Sequence, residues 1–465
     1  MPLPDVAVSA LDFQLGALPV TAEGIHAKVG VASIATDDPI VIGSLNDVRT
    51  LLGYGPLANA CADSLMNGAK SIIAHSVAPA TLGSIGSQSY TGTGTLTPSV
   101  GGAGAYDAFD LIVRIIKAGT LNEATFEYSL NGGASFVGPF TVPSGGTFVI
   151  DNTGITLTFS GTFAAGNQLT ATTTAPEMNV GGAAAGIDAL LDSPYAYEFV
   201  HVVGASDSTF WTSCASKAST AEGQKRWIHF VCEGRKLSSP TSTWITNVLG
   251  DAASFADTRV SVVAGWLSVQ DPILGISRKR NGAGVYCGRL SSLPVQRSPG
   301  RVQDGALKSV LGHAAALTDA QIEQLDNARY VTFRTFINAQ TAVGMYVTLP
   351  RTMAVITSDY KYVMNRRVMD KALRLVREAA IPFLQDEVDL QPDASSASLA
   401  RFQAVLEAPL DQMAADKEIV SGRVVIPEGQ NIVGTSTIEV EVKIVPVGYM
   451  NYINATLGFE LPEAS

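Results

Sequence analysis

A chain of 465 residues has room for two to four domains, each with its own core. Charged residues make up 16% and apolar ones 46%; so low a charge fraction suits a protein that buries surface against copies of itself, although a large enzyme core gives the same bias. A formal net charge of -11 without any polybasic run excludes the basic face that phosphate neutralisation needs, and no apolar stretch is long enough to span a membrane.

The opening Met1-Pro2-Leu3-Pro4-Asp5 lacks the cationic and apolar regions of a signal peptide. Pro2 and Pro4 favour an extended start. Val6 and Val8 alternate, then Leu11, Phe13 and Leu15, so residues 1–18 read as a strand-like arm with no hairpin partner. Residues 25–34 and 39–43 read as strands. Ser44 is a fitting N-cap for a short helix, Gly53-Tyr54-Gly55-Pro56 a turn, 57–66 a helix and 71–77 a buried strand.

Composition changes near residue 83. Residues 83–176 are rich in Gly, Thr and Ser, with strand-like runs at 110–116, 125–130, 135–142, 147–150, 155–159 and 168–174. Asn131-Gly132 is a hairpin signal, and short strands at even spacing predict an inserted all-β sandwich. Helix–strand alternation resumes from 183 to 335. Helices are expected at 187–191, 208–220 and 240–249, and strands at 198–203, 227–232 and 259–264. Continuous apolar strands suit a parallel sheet covered on both faces. Thr318-Asp319-Ala320-Gln321 is a capping box before a further helix.

In the last third, 330–336 and 344–349 read as strands, 360–384 as a long helix and 395–406 as a second. Met364, Val368, Ala372, Val376 and Ala380 line the long helix's apolar face. Arg366, Arg367, Lys371, Arg374 and Arg377 form a basic stripe, which suits either an exposed face with intrahelical ion pairs or a contact surface for an acidic partner. Ile438, Val440, Val442 and Ile444 alternate with Glu439, Glu441 and Lys443 as in a half-buried strand. Residues 447–461 are strand-like again, with no partner after them.

Motifs for catalysis are incomplete. Gly68-Ala69-Lys70-Ser71 has the Lys-Ser of a P-loop without the glycine five residues back. Gly204-Ala205-Ser206-Asp207-Ser208 starts like a nucleophile elbow but lacks its closing glycine. His201 with Ser206 and Asp207 makes a poor triad, because triad partners meet in space rather than in sequence. Cys61, Cys214, Cys232 and Cys287 form no C-x-x-C pair and read as reduced, buried thiols, with cross-linking between subunits the lesser alternative. No catalytic residue, metal site or cofactor is expected.

Two stretches resemble the contractile tail sheath family. In residues 39–79 a strand, a short helix ending before a Gly-rich turn, a helix leading to Asn67-Gly68 and an apolar strand follow in that family's order. Residues 334–388 carry Arg351-Thr352-Met353, Ser358-Asp359-Tyr360-Lys361-Tyr362 and Arg366-Arg367-Val368-Met369-Asp370-Lys371-Ala372. Pro446-Val447-Gly448-Tyr449 and Ile453-Asn454-Ala455-Thr456-Leu457-Gly458-Phe459 follow. The 83–176 insertion departs from the pattern, in the outward region where sheath proteins vary most.

The resemblance implies an α/β and α+β multidomain fold. Its α/β domain (19–82 and 177–335) would be subtilisin-like without protease residues, with the outward-facing insertion at 83–176. A tube-facing α+β domain (336–446) and linking arms (1–18 and 447–465) complete it. It implies stacked homo-hexameric rings around a tail tube protein, with baseplate and tail terminator proteins as further partners. Contraction drives the tube through the host envelope during genome delivery. The setting implied is the virion, with assembly in the host cytoplasm. Val6, Val8, Leu11, Phe13 and Leu15, and Tyr449, Ile453, Leu457 and Phe459, are expected to pair as arms with the strand of Ile438, Val440, Val442 and Ile444 in neighbours. Arg366, Arg367, Lys371 and Arg374 are expected to face the tube. The alternatives are the sheath of a bacterial contractile injection system, and an α/β hydrolase with a carbohydrate-binding insertion.

Overall fold

The structure is a computed structural model that describes residues 22–336, 343–388 and 397–459. The expected arm residues Val6, Val8, Leu11, Phe13 and Leu15 lie outside the described residues. The chain divides into two compact units, one through Lys371 and one from Ala372.

The first unit opens with β1 (His26–Gly30), β2 (Ile40–Ile42), α1 (Leu45–Asp47), α2 (Pro56–Met66) and β3 (Ile72–Ser76). Ser44 and Asp47 form a reciprocal capping box on α1, and Pro56 stands at the start of α2, where a missing N–H costs nothing. Eight strands follow: β4 (Ile85–Thr91), β5 (Thr95–Val100), β6 (Asp110–Lys117), β7 (Thr125–Ser129), β8 (Val137–Thr141), β9 (Thr147–Ile150), β10 (Ile155–Ser160) and β11 (Gln168–Thr173). They form a three-stranded sheet, β5-β10-β9, and a five-stranded sheet, β4-β11-β6-β7-β8. Leu96, Phe126, Ile150, Leu157, Phe159 and Phe163 pack in one core among these strands. Asn131-Gly132 does not make a two-residue hairpin. The Asn131 side chain is bonded to Ser129, Ser135 and Ser277, which holds a longer loop between β7 and β8.

The alternation then resumes with α3 (Val180–Asp192), β12 (Phe199–Ala205), α4 (Ser208–Gly223), β13 (His229–Glu233), α5 (Thr241–Ala253) and β14 (Val260–Val263). Next come β15 (Trp266–Gln270), β16 (Ser277–Asn281), α6 (Ala283–Ser291), β17 (Val310–His313), α7 (Asp319–Asn327), β18 (Phe333–Arg334), β19 (Tyr346–Val347) and α8 (Val363–Ala380). The Thr318 capping box stands at the start of α7. Helix α8 is shorter than its apolar periodicity suggested: Ile381–Phe383 tightens to a 3-10 turn around Pro382.

Six strands run in the order β14-β13-β12-β1-β3-β2, all parallel except β2 against β3. Helical crossovers place α3, α4 and α5 on one face and α2 and α6 on the other. The pleat turns Val29, Val202, Phe230 and Val262 toward Trp211 and Trp244, and Ile72, Ala74 and Val203 toward Leu57 and Cys61. On this second face the register sets Lys28 beside His201 and stacks Phe199 between His26 and His229. The β14 edge is covered, because the Val331 and Met353 amides donate to Val262 and Val260 carbonyls. All four cysteines are buried and free.

The second unit contains α9 (Ala397–Ala415), β20 (Ile419–Val425), α10 (Ile432–Thr435) and β21 (Glu441–Pro446). Helix α9 runs past its expected end through Pro409. Strand β21 starts later than the alternation from Ile438 suggested, and residues 447–459 form no strand.

Candidate assembly site

Strands β20 and β21 pair antiparallel into a sheet of two strands. Helix α9 lies on one face, burying its Leu406, Leu410 and Met413 with Ile419 and Val424 of β20. Gly422 permits the close approach: a Cβ there would stand 2.8 Å from Leu410 Cβ. The two edges of this sheet differ. On β20, the Val424 amide donates to Glu407 Oε1 at 3.0 Å and its carbonyl accepts from Gln403 Nε2 at 2.9 Å. Side chains of α9 thus occupy the backbone groups with which a third strand would pair. Strand β21 has β20 on one side and, among the described residues, no strand on the other.

Val442 sits opposite Val424. Because Val424 sends its N–H and C=O away from β21, this is a non-hydrogen-bonded pair, and Val442's own backbone groups point to the open side. Val442 is 37% exposed, while Ile438, Val440 and Ile444 are half-buried. Beyond it, Met450, Tyr452, Ile453, Leu457 and Phe459 are 77% exposed or more, whereas Tyr449 is half-buried. Five large apolar side chains within ten residues of solvated chain form an uncovered apolar run of the kind that marks interaction sites.

The basic stripe of α8 has to be corrected. Arg366 and Arg367 are buried within the first unit, so neither presents its charge to an outside partner. The Arg367 guanidinium is bidentate to Glu198, which precedes β12, and also donates to the Leu293 carbonyl at 3.1 Å. Arg366 pairs with Asp370 at 2.6 Å, and Arg259, which precedes β14, reaches the same Asp370 oxygen at 3.0 Å. Two of the five stripe residues, Arg366 and Arg367, are therefore an internal tether from helix to sheet. Lys371 and Arg374 are half-buried.

The hydrolase alternative directs attention to His201. It is wholly buried; Nδ1 is 2.7 Å from Lys28 Nζ and Nε2 is 3.3 Å from Glu233 Oε1. Burial, with Lys28 beside it, holds its pKa well below the usual histidine value. Since Lys28 can only donate, Nδ1 accepts and Nε2 carries the hydrogen. Ser206 donates to the Glu233 carbonyl and accepts from Trp211 at 2.9 Å, and Asp207 caps α4. The three residues of the imagined triad therefore serve three separate structural ends. Burial pushes Glu233 up to about 7, and Asp63 up to about 6 despite Arg280.

The parallel α/β sheet with its β insertion, followed in the chain by a small helix-backed sheet, has a counterpart in fold among solved sheath tail proteins. The crystal structure of a sheath tail protein from Desulfitobacterium hafniense is similar at a TM-score of 0.50 and 12% identity, covering 95% of this chain and 100% of that one. The chain belongs to the DUF2586 family, matching the family's N-terminal domain over residues 3–348 and its C-terminal domain over 359–464. A stretch of 116 residues is 38% identical to the "Putative tail sheath protein" of Haemophilus phage HP1 (strain HP1c1). That match spans 23% of this chain and 30% of the phage protein. The resemblance to the tail sheath family is borne out.

Proposed function

We propose that this chain is the repeating subunit of a contractile phage tail sheath. Copies assemble as stacked hexameric rings around a tail tube, and contraction drives the tube through the host envelope for genome delivery. The observation that carries this reading is the pairing of an open β21 edge with an exposed apolar segment, 447–459, in one chain. A strand donor and a strand acceptor on one molecule link copies head to tail, and a heterologous contact that does not close on itself generates a helix. Main-chain hydrogen bonds tolerate rotation of the bodies they join, as contraction requires. The free energy comes from apolar surface buried between subunits, at about 25 cal/mol per Å2.

In this reading residues 1–18 form the second arm, and baseplate and terminator proteins bound the sheath in the virion. The six-stranded sheet is a subtilisin-like scaffold put to mechanical rather than enzymatic use. With Arg366 and Arg367 withdrawn, Lys371 and Arg374, one turn apart on α8, are the residues we assign to the tube-facing side. Their charge reversal weakens tube docking and leaves sheath–sheath contacts intact.

Deleting residues 447–465, or residues 1–18, is expected to leave a folded monomer by light scattering and circular dichroism. Tubes of normal appearance from both truncations in negative stain overturn the reading.

A further inference from the structure

We propose that Cys214 and Cys232 are a redox pair: two thiols that a small disulfide oxidises to an intramolecular cross-link, locking α4 onto the parallel sheet. Cys214 stands on the inward face of α4 and Cys232 on β13, and their sulfurs are 3.7 Å apart in one apolar core with Trp211, Ala218 and Phe230. A disulfide needs about 2.05 Å between sulfurs, so closure asks for about 1.7 Å of sulfur movement, which rotations of about 30° in χ1 at both residues supply. The pairing is selective. Cys61 packs in the core on the other face of the sheet, and Cys287 belongs to α6 on that same side.

Cys232 donates its thiol hydrogen to the Cys214 sulfur, and that bond together with burial pushes its pKa up, so the closed pair holds no ready thiolate at Cys232. Access comes from α4. Seven of its sixteen residues are Ser or Thr, which favour helix poorly. The hydroxyls of Thr212, Ser216, Ser219 and Thr220 bond back to carbonyls one turn earlier, a habit that weakens a helix. Its buried face is narrow: Trp211, Cys214, Ala218 and Ala221. Such a helix opens locally before the sheet beneath it does. Once α4 lifts, the Cys214 thiolate attacks one sulfur of the oxidant X–S–S–X and expels X–S⁻, which takes up the proton that the cysteine released. When the helix reseats, Cys232 attacks the Cys214 sulfur of the mixed disulfide, and the second X–S⁻ leaves with the Cys232 proton. Two cysteine thiols are thereby oxidised and one small disulfide is reduced to two thiols. The new bond joins residues 214 and 232 across the turn between α4 and β13 and narrows the unfolded ensemble. A chain made in a reducing cytoplasm keeps its thiols and meets small disulfides only after release. That use of the lock rests on the sheath reading; the chemistry needs the first unit alone.

The test takes the full chain, reduced and freed of reductant, with 2-hydroxyethyl disulfide under mildly alkaline conditions. Free thiols counted in denaturant are expected to fall by two from the four of the reduced chain. The mass should drop by about 2 Da, and a non-reduced digest should join the peptides bearing Cys214 and Cys232. Tm is expected to rise by several degrees and to return on addition of dithiothreitol. Cys214→Ser is expected to give neither the joined peptides nor the rise in Tm. No cross-link in the unaltered chain, joined peptides that bear Cys61 or Cys287 in place of this pair, or a cross-link without a rise in Tm each overturns the proposal. The peptide map of the unaltered chain decides it even if the variant does not fold. Read on unassembled protein, that map comes out the same whether or not the sheath reading holds.

Discussion

Arg367 and Glu198 carry opposite charges at a site where neither meets water, both side chains being 0% exposed. Desolvating such a pair costs several kcal/mol per ion, recovered only while both partners and their carbonyl contacts are in place. Arg367→Leu should therefore destabilise the fold by roughly 3–5 kcal/mol in urea titration, through the stranded carboxylate. Arg367→Leu with Glu198→Leu should recover much of that loss, because no charge is left unpaired. Glu233 permits a prediction with a sign. Its pKa is raised from 4.5 to about 7, so between these values the folded state holds a proton that the unfolded state has released. Its contribution is favourable at the acid end of the window and is lost as pH rises through 7. Relative to Glu233→Gln, the unaltered protein should thus lose on the order of 3 kcal/mol from pH 5 to pH 8. Parallel stability–pH curves for the two proteins would contradict it. At this scale little was legible in the sequence. The stripe on α8 displayed its charges, but Glu198 and Arg259 lie more than a hundred residues away and carry no mark of being its counter-ions.

Elements were legible where their signals are local. The Ser44 and Thr318 caps reach only three residues, and the continuous apolar runs at Phe199–Ala205 and His229–Glu233 announce a sheet covered on both faces. Strands β4 and β5 carry no local signal, because Ser, Thr and Gly dominate the first and Pro98 interrupts the second; cross-strand pairing with β11 and β10 makes them strands. Helix α3 extends a full two turns before the expected 187–191. Gly181 and Gly182 weaken its propensity, and Asn179 offsets this by capping with a 2.8 Å bond to the Gly182 amide. The β20–β21 pair offers its own test of packing. Gly422→Val would force a side chain into Leu410 where even a Cβ has only 2.8 Å, so a loss of about 1–3 kcal/mol is expected in the second unit. Hydrogen exchange at β20 amides should report it as faster opening; unchanged protection would mean that α9 is not seated through this glycine.

For the whole molecule, what matters is that donor and acceptor are separable. Residues 447–459 contribute nothing to the β20–β21 ladder, so removing them takes away the C-terminal donor and leaves the accepting edge in place. Val442 faces the open side with its N–H, so Val442→Pro takes away a bond to a neighbour without breaking one to β20. Proline is tolerated in edge strands for that reason. That variant keeps its tail and can only donate. Neither protein alone should polymerise. Mixed in equal amounts they should associate as far as the single complementary contact allows, giving discrete complexes by light scattering rather than tubes. The mixture distinguishes strand exchange from a general apolar attraction between subunits, since attraction of that kind would let the tail-bearing variant self-associate regardless of Val442. Added at low ratio to unaltered subunits, the tailless chain should shorten tubes, because each copy incorporated leaves one neighbour's edge without the C-terminal strand it needs. Tubes of undiminished length at equimolar tailless chain would place the linkage elsewhere on the molecule.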